Sequence, residues 1–202
     1  MRRLCIFALI VLLLPCTALS ARVSSASLGG FYSYGRTFNQ DTIQGSTVGV
    51  ALKGNTPFGT GSRLGLRYDL LAKTAIDLRV DGTAADDLGT IGMDLGVGVA
   101  YQRPITYISY IEAGLGLRTM GALGDYTYKG TTMVDNHALL GIAAFVDYNH
   151  ALHNNVIINV GANAQLPFFG YARTGNKSNP SEGPVSIGDI ELSPYVGVSY
   201  LF

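Results

Sequence analysis

The sequence predicts an all-β protein, a transmembrane antiparallel up-and-down β-barrel of about eight strands. Apolar and small side chains alternate with a period of two along most of the chain. The alternating segments are close to the roughly 9–11 residues that a tilted strand needs to cross a bilayer. The alternation continues to the final aromatic residue, Phe202, and aromatic side chains favour the membrane interface. Together these observations indicate strands that cross a membrane.

The N-terminus has the pattern of a cleaved signal peptide, expected to cover residues 1–20 and to leave residues 21–202 as the barrel. Two arginines are followed by an apolar run over residues 4–14, too short to span a bilayer as a helix, and then by small residues. Cys5 and Cys16 both lie in this segment. The mature chain is therefore expected to lack a thiol for a disulfide, a metal or nucleophilic catalysis.

The charge of the chain argues against a nucleic-acid partner. Without the two arginines of the signal peptide, 12 of the 14 basic residues remain against 14 acidic ones. Nucleic-acid binding requires a basic surface, which this balance does not provide. No cluster of His, Asp and Glu has the spacing of a transition-metal site, so the sequence predicts no metal and no other cofactor.

The clearest strand covers residues 91–101, where Ile, Met, Leu, Val, Val and Tyr alternate with Gly, Asp, Gly, Gly and Ala. In a soluble barrel the second face would meet water and would be polar. Here it is mostly small, which suits the narrow interior of an eight-stranded barrel, so the apolar face is expected to meet lipid. The alternative is a soluble periplasmic barrel with its apolar faces turned inward. The other strands are expected at residues 27–38, 45–53, 62–80, 107–119, 138–148, 155–166 and 189–202.

The connections between strands predict which end of the barrel faces outward. Short links at residues 102–105 and 149–154 alternate with longer ones around residues 120–137 and 167–188. Barrels of the outer membrane have short periplasmic turns and longer extracellular loops. The two long segments are therefore expected to be extracellular loops.

Two hairpins are expected to project above the membrane. Apolar residues recur at even positions over most of the segment from Leu64 to Val80, about twice the length that a bilayer requires, and Asp81-Gly82 follows. Asp-Gly between strands is a type I′ turn signal. A second hairpin is expected to turn at Lys129-Gly130.

Aromatic residues fall near the expected ends of the strands, where membrane barrels carry a belt at each interface. The alternative is that these residues are ordinary strand residues, because aromatic side chains are common in strands of any kind. The interface aromatics are assigned as Tyr34, Phe38, Tyr68 and Phe168 on the outer side and as Tyr101, Tyr107 and Tyr148, with Tyr200 and Phe202, on the periplasmic side.

The inward phase of the strands contains nearly all of their charge. An Arg or Lys on the lipid face at mid-bilayer would cost about 2–4 kcal/mol, so this phase is not accidental. Charges in a tight lumen are expected to pair and to plug it, because an unpaired buried charge is costly. The alternative is a narrow water path that favours cations. The residues assigned to this lumen network are Arg63, Arg67, Asp69, Asp94, Glu112, Arg118, Asp147 and Glu191.

An enzyme is not expected. A hydrolase of the deacylase type needs a nucleophilic serine with a histidine and a carboxylate at the outer rim. His137 with Asp135 is the only candidate pair, and no serine lies beside it in the sequence.

The outer basic residues suit a girdle against acidic lipid or ordinary solvated loops. They are Arg36, Lys73, Arg79, Lys129, Arg173 and Lys177.

The C-terminal pattern Gly197-x-x-Tyr200-x-Phe202 resembles the signature by which bacterial outer-membrane barrels are recognised during insertion. With the signal peptide and about eight strands, the whole mature chain resembles the small barrels typified by OmpX, the OmpA membrane domain, OmpW and the opacity adhesins. Residues 193–196 are similar to OmpW in particular, but the polar lumen departs from the hydrophobic lumen of OmpW. The resemblance implies the outer membrane as location, and outer-membrane lipid, the barrel-insertion machinery and periplasmic chaperones as partners.

Two functions remain open at this point. In the first, the protein is a surface-exposed structural or interaction barrel, adhesin-like, with a plugged lumen and with outer loops such as 167–188 that bind an extracellular ligand. In the second, it is a narrow pore or lateral-diffusion channel for small solutes. A barrel fold by itself does not choose between them.

Overall fold

The structure, a computed structural model, describes residues 25–37, 43–153, 155–184 and 189–201. The predicted signal peptide, Phe38 and Phe202 lie outside the described residues. Within the described ranges, no helix is long and apolar enough to cross a membrane. The strands are β1 (Ser25–Thr37), β2 (Ile43–Pro57), β3 (Leu64–Val80), β4 (Thr83–Ala84), β5 (Ile91–Pro104), β6 (Ser109–Leu123), β7 (Asp125–Tyr128), β8 (Thr131–His153), β9 (Val156–Asn176), β10 (Ser181–Pro184) and β11 (Asp189–Leu201).

Eight of these strands close into one barrel. β1 pairs with β2, β2 with β3, β3 with β5, β5 with β6, β6 with β8, β8 with β9 and β9 with β11, and β11 returns to β1. Every pairing is antiparallel, so the predicted antiparallel up-and-down barrel is confirmed. Closure removes the sheet edges among these strands, and this suits a membrane because lipid offers no partner to an unpaired backbone group.

The register of the pairings determines the width of the barrel. A path that leaves Ser25 and crosses the strands at right angles returns to β1 at Gly35, ten residues further along the same strand. With a rise of about 3.3 Å per residue and strands about 4.8 Å apart, this offset over eight strands gives a tilt of about 40° and a radius of about 8 Å. A barrel of this radius encloses room for side chains but not for a wide channel.

The two ends of the barrel differ. One end carries the turns at residues 58–63 and 105–108, together with the start of β1 and the end of β11. At the other end, the β3–β4 hairpin turns at Asp81-Gly82 and the β7–β8 hairpin turns at Lys129-Gly130. All four of these turn residues have φ between 50° and 79°, as a type I′ turn requires, so both predicted hairpins are confirmed. The end with the short turns corresponds to the periplasmic end of outer-membrane barrels.

The two segments predicted as long loops consist largely of strands. Residues 120–137 belong mostly to β6, β7 and β8, and residues 167–188 mostly to β9 and β10. β7 pairs with β8, β8 with β9 and β9 with β10, so these strands extend the barrel wall into a sheet above the membrane. A register shift between Leu140 and Gly141, opposite Pro167, interrupts the alternation at the point where β9 was expected to end.

Side chains alternate between the outer surface and the interior. On β5, Met93 and Val97 are exposed on the outside, whereas Asp94 and Ala100 are buried inside. The interior is less uniformly small than the sequence suggested, because some large side chains also point inward. These are Phe31, Leu71, Phe145 and Tyr195.

Candidate functional site

The interior of the barrel holds a network of charged side chains. Arg63 does not belong to it: this residue is exposed in the turn before β3, so its assignment to the lumen is wrong. β3 begins at Leu64, and Arg63 lies before it, outside the region where alternation determines direction. Two lysines that the prediction omitted, Lys53 and Lys73, point into the interior. The assigned residues found there are Arg67, Asp69, Asp94, Glu112, Arg118, Asp147 and Glu191.

Arg67 is the centre of a group of charges in the periplasmic half of the lumen. Its Nε donates to Asp69 Oδ1 at 3.0 Å. Its Nη1 donates to Glu112 Oε1 at 3.0 Å and to Asp147 Oδ2 at 2.6 Å. The guanidinium carbon also lies 3.9 Å from the centroid of the Phe145 ring. One buried cation thus joins β3, β6 and β8 across the interior.

Two further cations complete this group. Lys53 Nζ lies 3.5 Å from Asp147 Oδ1 and 3.2 Å from the centroid of the Tyr195 ring. Arg118 Nη2 donates to Asp69 Oδ2 at 2.7 Å. Three cations therefore face three carboxylates, and the group is electrically balanced. We call it the lower cluster: Lys53, Arg67, Asp69, Glu112, Arg118 and Asp147.

Neutral amides add hydrogen bonds to the charged groups of the lower cluster. Asn55 Nδ2 donates to Glu112 Oε2 at 2.8 Å, and Gln102 Nε2 donates to the same oxygen at 2.9 Å. Arg118 Nη1 donates to Gln165 Oε1 at 3.3 Å. Such additional hydrogen bonds make buried ion pairs tolerable, because they replace part of the hydration that the charges have lost.

A second group of charges, the upper cluster, consists of Lys73, Asp94 and Glu191. Lys73 Nζ lies 3.0 Å from Asp94 Oδ2 and 2.9 Å from Glu191 Oε2. One cation here serves two carboxylates. The assignment of Lys73 to an outer basic girdle is wrong, because Lys73 shares the inward phase of Arg67, Asp69 and Leu71 on β3.

Glycines provide the space that these long side chains occupy. A Cβ atom at Gly96 would lie 3.2 Å from Arg118 Nε, and one at Gly114 would lie 2.6 Å from Phe145 Cζ. A Cβ atom at Gly161 would collide with Asp147. The glycines on the inward faces of the strands therefore form the wall against which the charged and aromatic side chains pack.

Two spaces among these side chains are small. A cavity at the periplasmic mouth, lined in part by Ser27, Lys53 and Asn159, has about 20 Å³ of space for water, room for about one molecule. A second space between Arg67, Phe145 and Arg118 has about 10 Å³. Sites for small organic ligands are usually about 300–1,000 Å³, so neither space resembles one.

The aromatic residues assigned to the interfaces mostly lie on the outer surface. Tyr68, assigned to the outer side, pairs with Gly54 and Val97 in the periplasmic half instead. Its ring covers Gly54, and its hydroxyl lies 3.4 Å from Thr56 Oγ1. The exposed aromatics are Tyr34, Tyr101, Tyr107, Tyr148 and Phe168.

The strands at the hairpin end of the barrel, opposite the short turns, form a connected surface. The segment between β4 and β5 forms a bridge from Asp86 to Thr127 of β7. Ion pairs join Lys177 to Asp125 and Arg173 to Glu182 across the hairpins. These contacts connect the hairpins to one another in addition to the barrel wall.

His137 and Asp135 lie on β8 above the outer aromatic Phe168, since His137 pairs with Ala172 on β9. His137 Nδ1 lies 3.0 Å from Asp135 Oδ1. Burial favours the neutral imidazole, but the hydrogen bond and the negative charge of Asp135 outweigh it and raise the pKa of His137 above its ordinary value. The pair is thus a local ion pair at low pH.

Solved structures with the same architecture are outer-membrane barrels. Neisserial surface protein A matches with a TM-score of 0.59 at 11% identity, over 88% of this chain and 96% of its own. OprG of Pseudomonas aeruginosa matches with a TM-score of 0.58 at 12% identity, over 90% and 97%. A major outer membrane protein of Thermus thermophilus matches with a TM-score of 0.53 at 15% identity, over 88% and 99%. The chain therefore has the fold of these small eight-stranded barrels.

The likeness of this barrel to those structures lies in the fold alone. No known protein family matches its sequence, and no curated protein does either. Identities of 11–15% carry no information about the residues of the lumen or the hairpins. The function of the barrel therefore depends on its own side chains.

The residues of the expected assembly signal lie at the end of β11. Gly197 lies inside, directly against the Tyr195 hydroxyl, and Tyr200 is exposed on the outer surface. Tyr200 pairs with Val156 and with Ala26, at the level where the strands begin and end on the periplasmic side. Tyr200 therefore lies where the periplasmic interface is expected, and the role of these residues in assembly stays a prediction.

Proposed function

We propose that this protein resides in the outer membrane as a closed, non-conducting barrel that presents its extracellular hairpins to partners outside the cell. The barrel would serve as a rigid, lipid-embedded support, and the hairpins would make the contacts. The observation that carries this proposal is the lower cluster, in which three cations and three carboxylates fill the lumen with ion pairs.

The lumen network argues against transport as the main role. Opening a path would require breaking several buried ion pairs at once, and removing one partner of such a pair typically costs about 3–5 kcal/mol. Arg67 alone contacts three carboxylates, one on its own strand and one on each of β6 and β8. A resting barrel with this interior holds its lumen shut.

The hairpins support the interaction role. β7, β8, β9 and β10 form a sheet beyond the membrane, and the bridge from Asp86 to Thr127 connects it to the β3–β4 hairpin. A surface of paired strands loses less conformational freedom on binding than disordered loops do, and this favours recognition. The sheet is therefore better suited to a specific contact than the long loops that the sequence predicted.

A catalytic role lacks support in the chemistry of the outer rim. The His137–Asp135 pair has the geometry of a base and its orienting carboxylate. A nucleophile would also be required within hydrogen-bond reach of the free ring nitrogen. The contacts of His137 within the described part of the chain include no serine. We therefore propose that the pair is structural and that the protein is not an enzyme.

Shortening the hairpins tests the interaction role. Replacing residues 126–133 and 174–181 each with Asn-Gly joins strand pairs that are already in register, Asp125 with Val134 and Arg173 with Glu182. Bacteria that display the full chain should adhere to epithelial cell monolayers, and bacteria that display the shortened chain at equal density should not. Equal adhesion of the two strains would contradict the proposal. A heat-shifting gel band from the shortened chain shows that its barrel is intact.

The second candidate is a narrow pore for small solutes. The upper cluster favours it in part, because its two carboxylates share one ion-pair partner, Lys73, and would attract a cation that reached them. Discrete conductance steps from the refolded chain in a planar bilayer would establish this candidate. Such conductance would not change the result of the adhesion experiment, so the two functions can be tested separately.

A further inference from the structure

A hydrogen-bonded polar group lies at the end of the barrel that has the short turns. Tyr148 Oη donates to Ser109 Oγ at 3.2 Å, and Ser109 Oγ lies 2.9 Å from His150 Nδ1. The rings of Tyr148 and His150 also stack, with their centroids 6.4 Å apart. Ser109 is buried, whereas Tyr148 is exposed and His150 is half-buried. We call these three residues the Ser109 group.

The register places the Ser109 group on the face of the barrel that is expected to meet lipid. Ser109 pairs with His150 across β6 and β8. Asp147 and Asn149, which alternate with Tyr148 and His150 along β8, are buried in the lumen. Side chains alternate along a strand, so the Ser109 group faces outward. Hydrocarbon offers no partner to a polar group, and such side chains therefore belong in the interfacial layer of the membrane.

The hydrogen bonds of this group determine which ring nitrogen of His150 is available. Ser109 Oγ accepts the proton of Tyr148, so its own proton is free to go to His150 Nδ1. A neutral imidazole that accepts at Nδ1 carries its proton on Nε2, and a protonated imidazole carries one on both nitrogens. His150 Nε2 is thus a donor in either state. Within the described part of the chain, the hydrogen bond of His150 involves Nδ1, which leaves Nε2 for a group outside the protein.

An arginine lies near this group on the same face. Tyr101 is exposed on the outside of β5, and the side chain of Gln102 points into the lumen, so Arg103 shares the outward phase of Tyr101. Arg103 pairs with Ile111, and Ile111 pairs with Tyr148, so the three form one row across β5, β6 and β8. With strands about 4.8 Å apart, the backbones of Arg103 and Tyr148 are about 10 Å apart.

Arg103 carries a positive charge without an acidic partner. It is exposed, and in the described part of the chain its guanidinium has no carboxylate within 4.0 Å. At the opposite end of the barrel, exposed Arg79 pairs with Asp77. A guanidinium group matches a phosphate with two parallel hydrogen bonds, and it loses less hydration than an ammonium group on binding. Arg103 is therefore available to an anion outside the protein.

Exposed apolar side chains surround these polar groups. Ile105 is 54% exposed, Tyr107 is 97% exposed and Leu152 is 61% exposed. The amide of Ile105 donates to the Ser109 carbonyl oxygen at 2.9 Å, so the β5–β6 turn is held against the Ser109 group. Apolar and aromatic side chains in such positions enter the interfacial layer, beside the lipid headgroups. The anion that reaches Arg103 and His150 in this layer is the phosphate of a lipid.

We propose that Arg103 and His150 together bind the phosphate of an anionic phospholipid in the periplasmic leaflet. Arg103 supplies the charge, and His150 Nε2 supplies a directed hydrogen bond. Their backbones are about 12 Å apart, because His150 lies two residues beyond Tyr148 on β8. The two side chains and a phosphate between them span this distance, with a hydrogen bond of about 2.8 Å on either side. The site rests on the outer-membrane location proposed above but is independent of what the extracellular hairpins bind.

Lipid retention by the full mature chain tests this proposal. The refolded protein is taken up in micelles that contain equal amounts of phosphatidylglycerol and phosphatidylcholine with identical acyl chains, and bound lipids are counted by native mass spectrometry. The wild type should retain phosphatidylglycerol in preference. R103Q should lower this preference about fivefold, since one basic residue near an anionic surface has about that effect. H150F keeps the ring beside Tyr148 but removes the nitrogens, and it should lower the preference about threefold, as the loss of one hydrogen bond does.

The matched control is R63Q, which removes one exposed arginine from the same end of the barrel. The Arg63 carbonyl oxygen accepts from the amide of Gln102, so Arg63 lies opposite Gln102 and one residue out of phase with Arg103. R63Q should keep the wild-type preference, whereas R103Q/H150F should lose nearly all of it. A heat-shifting gel band verifies that each variant is folded, and the exposed single variant R103Q replaces the double variant if the latter fails to fold.

Four results would overturn the proposal. The wild type could show no preference for phosphatidylglycerol, or R103Q/H150F could keep the preference. R63Q could lower it as much as R103Q does, in which case only the total charge at this end of the barrel matters. Excess inorganic phosphate, added to the wild type in the same micelles, could displace the retained phosphatidylglycerol, and the site would then bind free phosphate rather than a lipid.

Discussion

Replacing Arg67 with Met should destabilise the barrel more than any surface charge change. Arg67 is 2% exposed and donates to Asp69, Glu112 and Asp147 at 2.6–3.0 Å. Met fills a similar volume without the charge. The lower cluster would then hold three carboxylates against only Lys53 and Arg118. The variant thus buries a negative charge that nothing compensates.

The expected loss is about 3–5 kcal/mol in the free energy of unfolding, the cost of removing one partner of a buried ion pair. Most of the loss arises from the carboxylates that remain rather than from the contacts of Arg67 itself. Neutralising Glu112 as well, in R67M/E112Q, leaves Lys53 and Arg118 balanced by Asp69 and Asp147. This double variant should regain at least about 1 kcal/mol relative to R67M.

The measurement is unfolding by urea of the refolded chain in detergent micelles. The protein contains no Trp, so circular dichroism and the heat-shifting gel band report the folded fraction. The matched control is R79M. Arg79 is 54% exposed and its pair with Asp77 is open to solvent, so its removal should cost about 0–1 kcal/mol.

A loss below about 1 kcal/mol for R67M would refute the reasoning, because the carboxylates would then be hydrated well enough to do without the cation. A double variant less stable than R67M would refute the charge-balance explanation in particular. In that case Glu112 would contribute to stability mainly through the hydrogen bonds that it accepts from Asn55 and Gln102.

Three further predictions concern the wall, the outer rim and assembly. Gly114→Ala should lower the free energy of unfolding in urea by at least about 1–3 kcal/mol, because the added Cβ would collide with the Val99 carbonyl oxygen and with Phe145, while Gly59→Ala, with open space around it, should be nearly neutral. His137 has a raised pKa in the folded state, so its contribution to stability is fully present below its unfolded pKa of about 6.5 and is lost as pH rises through the folded value. The difference in urea midpoint between wild type and H137Q should therefore be larger at about pH 5.5 than at about pH 9, and a constant difference would contradict this. Deleting Phe202 should lower the outer-membrane yield measured by cell fractionation while the refolded chain keeps its unfolding midpoint, and a normal yield would remove the proposed assembly role.

The sequence predicts the membrane-crossing part of the fold well because one physical rule governs it. Each crossing must present an apolar face to lipid and a small or polar face to the lumen, and a period of two follows directly. All eight expected segments overlap barrel strands. The Asp81-Gly82 and Lys129-Gly130 turns were also predictable, because a type I′ turn requires positive φ and each sequence places a glycine there.

The rule fails above the membrane. The strands there no longer have one face toward lipid and the other toward the lumen, so the alternation fades, although side chains such as Tyr126 and Val134 are still buried. Pro167 and Gly170 add local signals for a loop, yet β9 continues to Asn176 because β8 pairs with it over that whole length. Pairing between distant parts of the chain, rather than local preference, determines these strands.

The alternation along each strand predicts which charged residues point into the lumen, but it does not predict which partners they meet there. Arg67 and Asp69 follow the inward positions of β3, and Lys73 continues the same series, so phase alone would have placed it inside. Its partners Asp94 and Glu191 come from β5 and β11, and only the closed ring brings them together. The same alternation would point Arg63 inward, but Arg63 lies one residue before the start of β3, where the alternation no longer determines the direction of a side chain.

Ion conductance tests the central claim, that ion pairs hold this barrel closed, most directly. The wild type is compared in planar bilayers with R67S/E112S, a variant that removes one charge of each sign and shortens both side chains. The closed-lumen account predicts no discrete conductance steps from the wild type and small, regular steps from the variant. Discrete steps from the wild type would contradict the account and would make the barrel a narrow pore.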